Sequence, residues 1–249
     1  MKIYILTRFS IPCWPTLGAF CWSKELYSQR FPNIVAYNAW LYDEKRLQQR
    51  IEIFETITRY SIESQTYENY EWIFYIGKGL PSKYKNYLSE INKSKLFTID
   101  KYTDINYENF HSSSKEGYIS IRLDDDDALH PTYLEKIKDF NKPNEIIAPL
   151  YGKYFNLLQD RKIQAHSVNN KKTIKACGVG VYNKNIHCLN NHTKFHKKFP
   201  IYFIEDKDMF FVSVGEHTSV NRKLRKETFN TYNNPKDLFN NKKSKYEST

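Results

Sequence analysis

No stretch of this chain is apolar for long enough to cross a bilayer; none approaches the roughly 18 residues that a span requires. The N-terminus offers only Ile3-Tyr4-Ile5-Leu6 before Thr7 and Arg8, too short for the core of a secretory signal. The two absences point to a cytoplasmic protein. Cysteine is scarce: Cys13, Cys21, Cys177 and Cys188 are the only four in 249 residues. That density does not make a disulfide scaffold. A zinc site from Cys177, Cys188, His192 and His196 is disfavoured, because the spacing of the cysteines is unusual for a structural site. A dinucleotide fingerprint is also missing. Gly178-Val179-Gly180-Val181 lacks the third glycine and the following helix, and its glycines better suit close approach to an acceptor or a neighbouring strand. Without a secretion signal, the glycan-acceptor patterns at Asn92-Lys93-Ser94 and Asn191-His192-Thr193 carry no weight.

What is present is aromatic and basic. Aromatic residues make up 16%, with 20 Tyr and 16 Phe, which excludes a disordered composition. The length suits one large domain or two small ones with a substantial core. Net charge is +10 and uneven: residues 222–249 hold eight Lys or Arg against three Asp or Glu, a surplus of five. Such a balance suits an anionic partner, whether a nucleotide-sugar, a membrane surface or nucleic acid.

One segment organises the rest. Tyr118 to Leu123 is a short β-branched apolar run that reads as a buried strand. Four consecutive carboxylates, Asp124 to Asp127, follow it. Pro131 then opens a helical pattern, where its missing N–H costs nothing. The acids therefore sit at the carboxyl end of a strand, where open α/β sheets bind ligands. Adjacent carboxylates repel unless a cation screens them. In an extended strand end Asp124 and Asp126 face one side. Two hard oxygen ligands plus substrate phosphates can hold Mg²⁺ or Mn²⁺. The competing reading is a solvated acidic turn, with Asp127 capping the helix.

The run from Ile121 to Leu134 resembles the DxD segment of GT-A glycosyltransferases, and most of all the bacterial rhamnosyltransferase family. Supporting segments are Arg50-Ile51-Glu52-Ile53-Phe54, Ser61 to Thr66 (a "PSI..QT"-like turn), Tyr70 to Phe74 with its "WI" strand, and Thr7-Arg8-Phe9. The similarity touches about residues 1–220. It implies a GT-A-like, Rossmann-like α/β domain over 1–235, with a mixed, mainly parallel sheet sandwiched by helices. Residues 236–249 read as a flexible basic tail suited to a membrane surface.

The resemblance also implies the chemistry. A sugar, with rhamnose the first guess, would pass from a nucleotide-diphosphate donor to a hydroxyl of a glycan, lipid-linked or protein acceptor, with inversion. Asp124 and Asp126 would hold Mn²⁺ or Mg²⁺, and His217 would complete the metal shell. Arg8 and Arg122 would assist the phosphates. Glu205-Asp206 resembles the "ED" motif, with Asp206 as the base and Glu205 next. The chain departs from the family after the second strand, where relatives usually carry an aspartate. Here Gly77-Lys78 stands instead, and Lys78 is the candidate phosphate contact. Two other classes stay open: a metal-dependent phosphoesterase or nuclease using the same acids, and a basic nucleic-acid binder. Acids at the centre of the best motif argue against nucleic acid as a partner.

The remaining elements follow from local pattern. Asp43 suits the start of a helix whose Leu47, Ile51, Phe54 and Ile57 recur at helical spacing. Strands are expected at 2–6, 72–76, 96–99, 145–148 and 212–220, and a hairpin over 154–166.

Overall fold

The computed structural model describes residues 1–12, 31–100, 117–157, 162–170, 177–182, 199–214 and 230–239. Strands β1 (Lys2–Phe9), β2 (Tyr70–Gly77), β3 (Ser94–Ile99) and β4 (Tyr118–Arg122) run parallel, with β1 between β2 and β4. Successive side chains leave a strand on opposite faces. So Ile3, Ile5, Trp72, Phe74 and Ile76 enter one core, while Tyr4, Leu6, Ile73 and Tyr75 enter another. Burial on both faces is why these strands read as continuous apolar runs.

Two helices precede β2: α1 (Ile34–Leu41) and α2 (Glu44–Ile53). Asp43 caps α2 as expected, its carboxylate accepting the Arg46 N–H at 2.8 Å. The coil then continues through a π-helical stretch, Phe54–Arg59, into α3 (Tyr60–Glu63). Phe54 lies on the sheet, its ring 5.4 Å from Trp72 and 5.8 Å from Phe74. Helix α4 (Ser82–Ser89) adds Tyr84 and Leu88 to the same core.

Beyond β4 the chain makes β5 (Ala128–Leu129), α5 (Tyr133–Ile137), β6 (Ile146–Pro149), β7 (Tyr151–Leu157), β8 (Ile163–Asn169), β9 (Gly180–Tyr182), β10 (Ile201–Ile204), β11 (Phe210–Ser213), β12 (Asn230–Tyr232) and α6 (Pro235–Phe239). They complete a seven-stranded sheet in the order β10-β6-β9-β4-β1-β2-β3 and a five-stranded one, β12-β8-β7-β11-β5. Among the described strands of the larger sheet only β9 runs against its neighbours, so β4, β6 and β10 all end at one edge. This is the mixed, mainly parallel α/β architecture expected. Gly180 lets β9 lie against β4, since a Cβ there would meet Ile121 at 2.7 Å.

Three expectations change. The hairpin expected over 154–166 is β7–β8, and the strand expected at 212–220 is met by β11 at 210–213, with 215–220 outside the described residues; what had no signal is that they join the two-residue β5 in a second sheet. Pro131 does not open a helix: α5 begins at Tyr133, and the Pro131 carbonyl accepts the Thr66 N–H at 2.9 Å. The boundary drawn at 235/236 falls inside α6, where Leu238 and Phe239 are buried, while 240–249 lie outside the described residues.

Candidate active site

The four acids form a closed turn. The Asp127 N–H donates to the Asp124 carbonyl at 3.1 Å, immediately after β4. The extended backbone that would have aimed Asp124 and Asp126 the same way is therefore absent. Each carboxylate meets a different neighbour instead.

Asp124 is gripped by two strands. Arg8, from β1, donates to its Oδ1 at 2.9 Å, and Arg122, from β4, donates to Oδ1 at 3.1 Å and Oδ2 at 2.8 Å. Burial alone would raise its pKa, but Arg122 and then Arg8 outweigh that and hold it well below the usual carboxylate range. Asp125 turns to α2 and takes both arms of Arg50, Nε at 2.9 Å and Nη2 closer still. Thr58, in the π stretch, adds a bond of 3.2 Å to the Asp125 carbonyl. Asp127 faces β11, where its Oδ1 accepts the Ser213 N–H at 3.0 Å. Burial first, then Asp126 and Asp124, raise its pKa. It ties the turn to the second sheet and does not cap α5.

Asp126 differs. Among the described residues the cation that faces it is Arg50, whose Nη2 lies at 3.7 Å, beyond hydrogen-bond reach, while the Ser213 side chain favours its charged form by hydrogen bonding. Burial pushes its pKa up to about 6; Arg50 opposes this, while Asp125 and Asp124 add to it. Of the four carboxylates it is the one least committed to the fold. Arg46, one turn before Arg50, stacks on Trp40 at 4.5 Å and donates to the Leu41 carbonyl at 2.7 Å. Burial, then Arg50, lower its pKa to about 10. Four arginines thus face four aspartates.

Of the four acids Asp126 is the one best placed to meet a divalent cation, since among the described residues no guanidinium is hydrogen-bonded to its oxygens. Asp124 fits less well, because three guanidinium bonds already occupy it. Among the described residues no three His, Cys, Asp or Glu are placed to share an ion. Phosphates would have to supply most of the remaining ligands, as is usual for Mg²⁺.

The other expected residues are scattered. Lys78 is 76% exposed at the end of β2, 3.5 Å from Asp100 and far more exposed than the acidic turn. Gly77 beside it has a reason: a Cβ there would collide with the Tyr42 hydroxyl and lie 2.7 Å from the Ser10 carbonyl. No aspartate fits that position. Glu205 and Asp206 follow β10 and are exposed, with Asp206 3.1 Å from Lys136. They share the sheet edge with the acids, but β9 and β6 intervene, a gap of about 14 Å at ordinary strand spacing. His217 lies outside the described residues, as do Cys13, Cys21, Cys188, His192 and His196. Cys177 is a free, buried thiol whose pKa burial raises.

Comparison with known families places the chain as a whole. The family model described as "Putative rhamnosyl transferase" matches residues 2–227. The chain belongs to that rhamnosyl transferase family. No curated protein matches. Among solved structures, residues 1–349 of S. aureus TarS are 9% identical over 86% of this chain and 60% of that one, with a TM-score of 0.42. The same fragment in complex with UDP gives 0.43, also at 9% identity and the same coverage. A third structure, titled S. aureus TarS, gives 0.41 at 7% identity, over 86% of this chain and 37% of that one. The chain spans 60% or less of each.

In this chain the segments that carry the resemblance hold the acidic loop in place. Ser61 Oγ accepts the Leu129 N–H at 3.3 Å, and Gln65 bonds the His130 carbonyl at 2.8 Å and the Leu134 N–H at 3.0 Å. The "SI..QT" turn is thus a clasp on β5 and α5. Trp72 donates from Nε1 to Thr7 Oγ1 at 2.9 Å, joining the "WI" strand to β1. Arg50, Thr58 and Ser213 were not foreseen as partners of the acids. Arg50 lies inside an apolar helical pattern that reads as core, and nothing in the sequence pairs it with Asp125.

Proposed function

We propose that this chain transfers a sugar, with rhamnose the first candidate, from a nucleoside-diphosphate donor to an acceptor hydroxyl. Family membership supports the reaction class. The observation that carries the reading is Asp126: a buried carboxylate with no hydrogen-bonded cation among the described residues, two positions after Asp124, which Arg8 and Arg122 grip at the end of β4. Asp126 would hold Mn²⁺ or Mg²⁺, with Asp124 behind it. When bound, the ion supplies positive charge to the leaving diphosphate.

The chain's own residues do the rest. Arg8 and Arg122 are fixed on Asp124 and present positive charge where a diphosphate would lie. Asp206 is the proposed base: it is solvent-accessible, on the same sheet edge, and would take the proton of the acceptor hydroxyl. The hydroxyl oxygen then attacks the anomeric carbon as the bond to the diphosphate breaks on the opposite face, which inverts the centre. The acceptor is a glycan, a lipid-linked saccharide or a protein.

A thermal-shift screen of UDP-, GDP- and dTDP-sugars, with Mn²⁺ or with EDTA, tests the reading. One donor should stabilise the protein only with Mn²⁺, and Asp126→Ala should remove both that shift and metal-dependent donor hydrolysis. Near-normal hydrolysis by Asp126→Ala would overturn the metal assignment.

A further inference from the structure

We infer that Arg50 is a positioning residue for Asp126, acting through Asp125, and that this is the purpose of the buried ion pair between α2 and the acidic turn. The inference rests on the metal reading of Asp126 given above. Three of the four acids are pinned by hydrogen bonds from four different elements: Asp124 from β1 and β4, Asp125 from α2, Asp127 from β11. Among the described residues Asp126 takes no bond from a guanidinium or a backbone N–H, and only the Ser213 side chain favours its charged form by hydrogen bonding, so its direction is set mainly by its neighbours. Asp125, immediately before it, is held by both arms of one guanidinium. The same Nη2 lies 3.7 Å from Asp126. One cation thus fixes the backbone under Asp126 and limits where its carboxylate can swing.

The helix is built for this. The α2 register puts Arg50 under the turn, and Thr58 reaches the Asp125 carbonyl eight positions later. An unbroken α-helix would rotate position 58 by 80° relative to position 50. The π stretch Phe54–Arg59 follows Arg50 and contains Thr58, and its wider turn shifts that register, so both side chains meet one residue. An ion pair needed for stability alone would be an uneconomical choice here. Burying two charges costs about as much as their attraction returns, and apolar pairs of similar size often do as well. The bidentate geometry, by contrast, gives direction that an apolar pair cannot.

Two variants that keep the site's net charge test the inference. Arg50→Lys retains the cation and loses the fork. The double variant Arg50→Met with Asp125→Leu removes one charge of each sign and keeps the packing. UDP, GDP and dTDP are each titrated calorimetrically against wild type and variants, in saturating Mn²⁺ and in EDTA. The quantity read is the ratio of the two dissociation constants for each nucleotide. Wild type should show a ratio of about tenfold or more for one nucleotide, and Asp126→Asn should reduce it to near one. Both Arg50 variants should reduce it too, with affinity in EDTA unchanged, since Arg8 and Arg122 remain. A wild-type ratio in folded Arg50 variants overturns the inference while the metal reading stands. A ratio near one in wild type, or an undiminished one in Asp126→Asn, overturns the metal reading and the inference with it. Failure of the double variant to fold also overturns it, because the pair would then hold the fold and not one carboxylate.

Discussion

Four identical side chains in a row have four different environments, and the difference comes entirely from what faces them. Asp124 is ionised by arginines, Asp127 is raised by burial, and Asp126 lies between. The acids themselves were legible because a carboxylate run after a strand has few structural uses. Their partners were not, since Arg8 is 116 positions away from Asp124 and Arg50 is 75 from Asp125. Close to the same loop, His130 shows how such an environment reads out as stability. Its Nδ1 accepts the Thr132 N–H at 3.3 Å, and it lies among Asp208, Asp206, Lys153 and Lys136. Burial leads in lowering its pKa below the ordinary value. The unfolded chain therefore takes up a proton first, at about pH 6.5. The stability due to neutral His130 is complete above that pH and declines below it, until the folded state is protonated in turn. Urea midpoints at about pH 7.5 and about pH 5.5 should differ less in His130→Asn than in wild type. An equal difference would show that His130 carries none of the acid sensitivity.

At the scale of elements, the long helical run from α2 to α3 does two jobs that its apolar pattern conceals. Leu47, Phe54 and Ile57 bury against the sheets, as their spacing foretold. On other faces Arg50 and Thr58 hold the acidic turn, and Ser61 and Gln65 hold β5 and α5. Periodicity reports only the first job, because polar positions on a helix read as solvent-facing. Likewise β5 and β11 were invisible as a pair: short strands are defined by their partner. Gln65 is where the clasp can be tested. It makes three bonds, to the Ser61 and His130 carbonyls and from the Leu134 N–H. Gln65→Leu keeps the volume and leaves those groups without partners in a buried place. Each such group costs about 1–3 kcal/mol, some of it recovered by relaxation. Chemical denaturation should register a loss of about 2–4 kcal/mol. A loss under about 0.5 kcal/mol, as for an ordinary surface change, would remove Gln65 from the clasp.

For the molecule as a whole, the question is what keeps the two sheets in register at the acidic turn. The larger sheet delivers Asp124 at the end of β4, and the smaller one delivers Ser213 to Asp127. The Ser213 contact depends on β11 staying against β5. The C-terminal helix α6 closes that arrangement. Phe239 packs edge-on to Phe211 of β11 at 5.0 Å and lies 5.5 Å from Tyr60 at the start of α3. Leu238 is wholly buried in the same cluster as Ala128, Ile57 and Phe155. A segment whose composition reads as the start of a solvated tail is thus a wedge between the helical run and the second sheet. Sequence reading missed it because only two apolar residues stand among Asn and Lys, too few for a periodicity. Phe239→Ala removes a large buried ring and should cost about 3–5 kcal/mol. Because the ring touches β11 directly, hydrogen exchange at the Ser213 amide should accelerate more than at β1 amides such as Ile5. Uniform acceleration across both sheets would mean that α6 supports the fold generally and has no particular hold on the Asp127 contact.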